Sequence, residues 1–347
     1  MFEAIIVLCL NLNEGPCRPH LLPGHERQTQ AICEASLVEN PPDLSVFSGL
    51  TAKGSAQCEK VGEALEVRQV AQGVFVHVGL IQEPNSNNRG DISNMGFVIG
   101  ENSVAVIDAG TARWIGEALW RSIRQRTEKP VSHAIITHMH PDHALGAAVF
   151  AEAGAMIVGH VGLPRALADR QVNYLESLSL LIGPEILLGT RVPIVTATVA
   201  ENLEIDLGNR PLDIQAWPTA HTGTDLTVRD TNTGTLFAGD LIFDAHTPAL
   251  DGRLIGWRAV IDALGEMDVE RVVPGHGRAS LSWPEGSRPI ARYLSVLEAD
   301  TRAAVDAGTR LGTAVEEIAQ SEKEAWELFE TYNPRNATVA FTELEWE

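Results

Sequence analysis

Thr137-His138-Met139-His140-Pro141-Asp142-His143 places four strong metal donors, His138, His140, Asp142 and His143, within six residues. Imidazole and carboxylate donors suit zinc or ferrous iron at bond lengths of about 2.0 to 2.2 Å, and no cysteine lies nearby to close a structural site. The pattern marks a metal-dependent enzyme. Upstream, Val131 to Ile136 is apolar and β-branched and reads as a buried strand; downstream, Asp142 to Phe150 reads as the start of a helix. The donors therefore occupy a strand-to-helix loop at the carboxyl edge of a strand, where α/β folds gather their sites. Pro141 can open the helix without losing a backbone hydrogen bond.

Four residues cannot hold two ions, so further donors are expected at later strand ends. His221 follows the strand-like Leu212 to Trp217, Asp240 ends Thr235-Leu-Phe-Ala-Gly-Asp, and His276 ends Arg271-Val-Val-Pro-Gly-His. Flanking glycines allow backbone to approach a metal closely.

With these residues in view, the chain from about Glu66 onward resembles the metallo-β-lactamase superfamily of metallohydrolases. The resemblance implies one metal site from His138, His140 and His221, a second from Asp142, His143 and His276, and Asp240 as the bridge. It also implies that Asp108, at the end of Ser103-Val-Ala-Val-Ile-Asp, orients donors from behind, with Thr137 beside it. Zinc β-lactamases of this fold carry Cys or Ser where this chain has Asp240, which argues against antibiotic hydrolysis. Gly73-Val-Phe-Val-His-Val-Gly, Asn88-Arg-Gly-Asp-Ile-Ser-Asn-Met-Gly and Asp240-Leu-Ile-Phe-Asp-Ala-His-Thr-Pro are similar to the branch found beside quinoprotein dehydrogenases and sulfur-oxidation systems. That similarity implies a periplasm-facing hydrolase and leaves its substrate open.

The expected cofactor is two zinc ions, with iron or manganese as alternatives that the same donors accept. A pair of divalent ions lowers the pKa of a shared water and clamps an oxygen that develops charge, so the nucleophile is a bridging hydroxide. Asp142 is the catalytic residue: it can both ligate and take the proton shed in the attack. The Gly-x-Ser-x-Gly elbow of serine hydrolases is absent from the sequence. The expected reaction is cleavage of a small ester, thioester or lactone. Two rivals are a mononuclear iron oxygenase of the same fold, akin to persulfide dioxygenases, and a non-catalytic, metal-stabilised accessory module.

Asn85 to Asn94 reads as a polar loop between two apolar strands, from which Asn88, Arg89 and Asp91 are expected to contact substrate. His160 and His246 are expected near the pocket, whereas His77 and His133 read as packed strand residues. The formal charge of -20 disfavours nucleic acid and polyanionic substrates. A small molecule is the expected partner, with a homodimer as a further expectation.

Residues 1–62 differ in texture and hold all four cysteines, reading as a small β-α-β appendage to a domain at 63–347. Four cysteines in a short segment suggest two disulfides, with Cys9–Cys58 and Cys17–Cys33 as the expected pairing and four reduced thiols as the alternative. A periplasmic location is the expectation, although the seven-residue apolar stretch Ala4 to Leu10 follows Glu3 and makes a poor export signal, leaving a cytoplasmic location open. No run of eighteen apolar residues is present, so no membrane insertion is expected. From Glu66, strands alternate with helices, among them Thr111 to Arg126 and Leu163 to Ile182. The α/β order is that of two sheets between outer helices, a four-layer αββα sandwich.

Overall fold

The computed structural model describes residues 1–10 and 15–346. The appendage opens with β1 (Phe2–Cys9) and β2 (Cys17–Arg27), an antiparallel pair, followed by α1 (Gln30–Glu39), which Thr29 caps by accepting the Ile32 amide. A 3-10 turn, Leu44–Phe47, leads to β3 (Thr51–Ala52) and β4 (Gln57–Lys60), which share the other edge of β1. Two strands thus precede the helix where the sequence reading has one. Pro19, Pro23 and Gly24 hid β2, yet it lies at the edge of its sheet, where proline costs no ladder bond.

The disulfides are Cys9–Cys17 and Cys33–Cys58, which corrects the expected Cys9–Cys58 and Cys17–Cys33. The reason is register: β1 and β2 pair so that Cys9 stands directly opposite Cys17, while Cys33 on α1 and Cys58 on β4 meet in the small core with Ile6, Leu8 and Phe47. Closing 25 residues, the second bridge is expected to contribute about 3 kcal/mol through the unfolded chain, and the first, closing eight, about 1 kcal/mol less. Urea midpoints of the Cys33→Ala/Cys58→Ala and Cys9→Ala/Cys17→Ala proteins check this. Equal midpoints in both variants and the parent would refute it.

The first large sheet holds β5 (Arg68–Ala71), β6 (Val74–His77), β7 (Met95–Ile99), β8 (Val104–Ile107), β9 (Val131–Ile135), β10 (Met156–His160) and β11 (Ala197–Val199) in sequential order. Strands β5 to β8 are antiparallel and β8 to β11 parallel. Helices α2 (Arg113–Arg124), α3 (Pro141–Ala144), α4 (Ala148–Glu152), α5 (Leu163–Ile182) and α6 (Pro184–Leu187) belong to this half. The second sheet orders β12 (Asn202–Asp206), β13 (Pro211–Ala216), β14 (Leu226–Asp230), β15 (Thr235–Phe243), β16 (Arg271–His276) and β17 (Leu281–Ser282). Outside it lie α7 (Leu254–Gly265), α8 (Arg288–Asp306), α9 (Leu311–Glu317) and α10 (Phe329–Leu344).

Strand periodicity builds the layers. In β8, Val104 and Val106 face α2, α4 and α5, while Ala105 and Ile107 face the second sheet; Ile157 and Val158 divide the same way in β10. The sheet-on-sheet core joins Val76, Val98 and Ile107 to Leu212, Val228 and Phe237. A third core seats α7, α8 and α10 on the second sheet around Trp257, Tyr293 and Phe341. This is the αββα sandwich. Among the described residues no helix is long and apolar enough to cross a membrane.

A buried charge network joins appendage to sandwich. Arg113 on α2, fully buried, donates to Glu117 at 2.8 Å, to both oxygens of Glu152 at 2.6 and 2.7 Å, and to the Leu21 carbonyl at 3.0 Å. Its guanidinium also stacks on Phe47 at 4.6 Å. Glu117 in turn pairs with Arg18 and accepts the Leu21 amide at 3.2 Å. At the other end of the seam Glu3 receives Arg121.

Candidate metal centre

All seven predicted donors converge. His138 and His140 leave the end of β9, Asp142 and His143 begin α3, His221 comes from the loop between β13 and β14, and His276 ends β16. Asp240 differs slightly from expectation: β15 continues past it to Phe243 after a register shift near Gly239. Gly239 there has φ +50°, and a Cβ on it would meet Thr137 Oγ1 at 2.5 Å; a Cβ on Gly275 would strike Asp240 Oδ1. Only glycine lets these strands pass so close to the donors.

The donors form two groups, His138, His140, His221 and Asp240 in one and Asp142, His143 and His276 in the other, each with its ligand atoms within 4.8 Å of one another. In the first, His140 Nδ1 lies 3.1 Å from His138 Nε2 and 3.0 Å from His221 Nε2. Nitrogens bonded to one tetrahedral ion at about 2.0 Å stand about 3.3 Å apart, so this spacing fits a shared cation. Asp240 spans both groups: Oδ2 is 3.5 Å from His221 Nε2 and 3.4 Å from His276 Nε2, and Oδ1 is 3.1 Å from His143 Nε2. Asp142 Oδ2 lies 3.4 Å from His276 Nε2. His143 Nε2 and Asp240 Oδ1 are buried without a hydrogen-bond partner, as atoms aimed at a cation would be. The residues present fit a pair of divalent ions.

Groups behind the donors fix which nitrogen faces inward. His143 Nδ1 donates to Asp108 at 2.8 Å, His276 Nδ1 to the Ile92 carbonyl at 2.8 Å, His221 Nδ1 to the Ala249 carbonyl at 2.5 Å, and His138 Nδ1 lies 3.1 Å from Thr137 Oγ1. Each leaves Nε2 for the centre. His140 is reversed, with Nδ1 inward and Nε2 at 3.3 Å from Asp251. Asp108 also receives the Thr137 amide and hydroxyl, both at 2.8 Å, from a backbone held at φ +58°. A non-glycine residue in the left-handed region at such a site is strain that its surroundings impose.

Electrostatics of the metal-free centre follow from burial and Asp240. Burial pushes His221 down to about 3 and His138 well below the imidazole range. Burial also acts on His143, but Asp240, Asp142 and Asp108 outweigh it and hold that ring well above the usual value. Asp240 is held well below the carboxylate range: burial opposes this, and His276, His143 and His138 overcome it.

A family model described as the metallo-beta-lactamase superfamily matches residues 88–276, the span that contains every one of these donors. The chain belongs to the metallo-beta-lactamase superfamily. Among solved structures, a metallo-beta-lactamase from Pontibacter korlensis is similar at 20% identity and a TM-score of 0.54, over 67% of this chain and 99% of that one. TMB-1 is similar at 18% identity and a TM-score of 0.53, over 67% and 98%. At such identities the likeness is one of fold. No curated protein sequence matches the chain.

As in other folds with a site at strand ends, the superfamily centre here opens into a cavity, of about 440 Å³, the size that takes a small molecule. Half-buried His140 and Asp142 line it, with His246, Phe243, Leu178 and Leu250. His246 is therefore where the sequence reading expects it, its ring 4.8 Å from that of His276. Its Nδ1 donates to the Thr247 carbonyl at 2.6 Å, and burial, with His276 beside it, pushes it down to about 4, so the ring is neutral with Nε2 an acceptor.

Asn88, Arg89 and Asp91, expected to contact substrate, and His160, expected near the pocket, are not among the residues that line the cavity. Asn88 bonds the Asn85 and Gly90 amides and the Glu83 carbonyl, Arg89 stacks on Trp114, Asp91 receives His77, and His160 Nδ1 accepts the Gly162 amide. The loop serves the metal centre with its next three residues instead: Ile92 holds His276, Ser93 Oγ donates to the Asp142 carbonyl, and the Asn94 amide donates to the Gly275 carbonyl. His77 and His133 are strand residues packed away from the centre, as expected.

Sequence reasoning missed Asp251, which holds His140, and Asp225, a buried carboxyl pushed up to about 7 by burial that pins the His221 loop through Thr222. Asp-Gly at 251–252 and Thr-Gly-Thr-Asp at 222–225 were available as turn signals. It also missed Glu83, Tyr332 and Arg335, which carry no local motif.

Proposed function

We propose that this chain is a dinuclear, zinc-dependent hydrolase that cleaves a small ester, thioester or lactone. The observation that carries the reading is the convergence of seven donors on two groups that share Asp240. Two divalent ions held there would lower the pKa of a coordinated water and polarise a substrate carbonyl. The chain's own residues do the rest. Asp142, half-buried at the cavity wall, takes the proton released as the carbonyl carbon is attacked and returns it to the leaving oxygen or sulfur. His246 Nε2 accepts a hydrogen bond from a substrate N–H or O–H. Leu178, Leu250 and Phe243 exclude water on the substrate's apolar side.

The two disulfides support an oxidising compartment, and with the motifs shared with the quinoprotein-associated branch they favour a periplasm-facing location. A mononuclear iron centre would leave the group of Asp142, His143 and His276 without a purpose. The deciding experiment is elemental analysis of protein purified without added metal or chelator, alongside His276→Ala, together with a panel of esters, thioesters and lactones. Two zinc ions per chain falling to about one in the variant, with turnover of a panel member, is the expected result. A single iron unchanged in the variant, with oxygen consumed on thiols or persulfides, overturns it.

A further inference from the structure

We infer that the substrate carries a single carboxylate, bound by Arg335 at the mouth of the cavity; the inference rests on the hydrolase reading above and narrows its substrate class. Among the described residues that line the cavity, the acidic side chains are Glu83, Asp142, Asp240 and Asp251, and the one permanent cation is Arg335. The four carboxylates are engaged. Asp142 and Asp240 face the donor groups, Asp251 lies 3.3 Å from His140 Nε2 and 3.7 Å from Arg170, and Glu83 accepts from the Tyr332 hydroxyl at 2.5 Å.

Arg335 makes no hydrogen bond or ion pair among the described residues; its guanidinium lies 5.7 Å from the centroid of the Tyr332 ring. In a chain of net charge -20, acidic partners are plentiful, yet among the described residues none pairs with this guanidinium. Its neighbours three and four positions away are Thr331, Tyr332, Thr338 and Val339. The backbone beneath it is fixed on both sides. Asn336 donates to the Pro248 carbonyl at 2.6 Å and to Tyr293 at 2.8 Å and accepts the Leu250 amide at 2.9 Å, while Asn333 donates to the Ile318 carbonyl at 2.9 Å. A free guanidinium on an immobile base is a receptor whose backbone is ordered before the ligand arrives.

The position of this head sets the form of the ligand. The His246 ring lies 4.8 Å from that of His276 and 4.8 Å from that of Tyr332, whose ring is 5.7 Å from the guanidinium, and all four residues form part of the cavity wall together with Leu250 and Val339. A molecule with its reacting carbonyl at the donors and a short apolar spacer along that wall ends at Arg335, where a carboxylate forms a charge-assisted, bidentate bond. One guanidinium accepts one such group; the overall negative charge still repels a polyanion.

The test compares phenyl acetate with the monophenyl esters of succinic, glutaric and adipic acid on the metal-loaded wild type, Arg335→Gln, Arg335→Glu and Arg335→Lys. The readout is the ratio of kcat/KM for each half-ester to that for phenyl acetate. In the wild type the ratio is expected to exceed one for at least one spacer length. Arg335→Gln should lower it about tenfold through KM, Arg335→Glu should lower it further, and Arg335→Lys should restore part of it. A ratio that is the same in all four proteins overturns the assignment of Arg335 while leaving the hydrolase reading intact. Failure of the wild type to turn over any ester, thioester or lactone overturns both.

Discussion

Replacing Asp240 by alanine is expected to lower ester, thioester or lactone turnover by about a thousandfold or more and to leave fewer than two metal ions per chain. The size of the effect follows from geometry: one carboxylate stands 3.1 Å from His143 and 3.4 to 3.5 Å from His276 and His221, so its loss removes a donor from both groups at once. In the metal-free protein it also removes the counter-charge that, with Asp142 and Asp108, holds His143 well above its ordinary value against burial. Asp240→Asn keeps the volume and tests the charge alone. Kinetics paired with elemental analysis separate the two effects; a variant that retained both ions and full turnover would refute the bridging role.

The second large effect concerns stability. Glu117→Ala should destabilise the fold by about 3 to 5 kcal/mol, because it leaves Arg18 without its carboxylate in the seam between appendage and sandwich and takes from buried Arg113 one of its two, Glu152 remaining. Glu117→Gln, which keeps hydrogen-bonding atoms without the charge, should fall between the two. Denaturant midpoints measured with thiols oxidised give the comparison. A loss below about 1 kcal/mol for the alanine variant would mean that water enters the seam and solvates the arginines.

The donors were legible because they lie at, or within a few residues past, the ends of apolar strands, and a parallel or mixed sheet aligns such ends on one edge. His138 to His143, His221 and His276 needed only that rule. Asp240 obeyed it less neatly, since β15 resumes past the shift at Gly239; the strand carries its ligand in the middle. The layers were legible for a similar reason, as alternation in β8 and β10 assigns each side chain a sheet face.

What escaped the sequence depends on contacts between distant segments. Asn88, Arg89 and Asp91 are polar and sit in a loop beside the centre, but their groups are consumed in shaping that loop, and the residues that serve the ligands, Ile92 and Ser93, do so through a carbonyl and a hydroxyl that carry no motif. Tyr332 and Arg335 reach the cavity only because α10 packs back over the second sheet, some sixty residues after the last donor. The disulfide pairing turned on the register of a hairpin whose second strand is masked by prolines.

Both cross-links close within the first 58 residues, and neither ties the appendage to the sandwich. All four cysteines precede the first metal donor, His138, by eighty residues or more, so the cross-linked segment carries no part of the centre and its oxidation needs none of the donors. The residues of the two cross-links and the residues of the metal centre are thereby separate in sequence and in space.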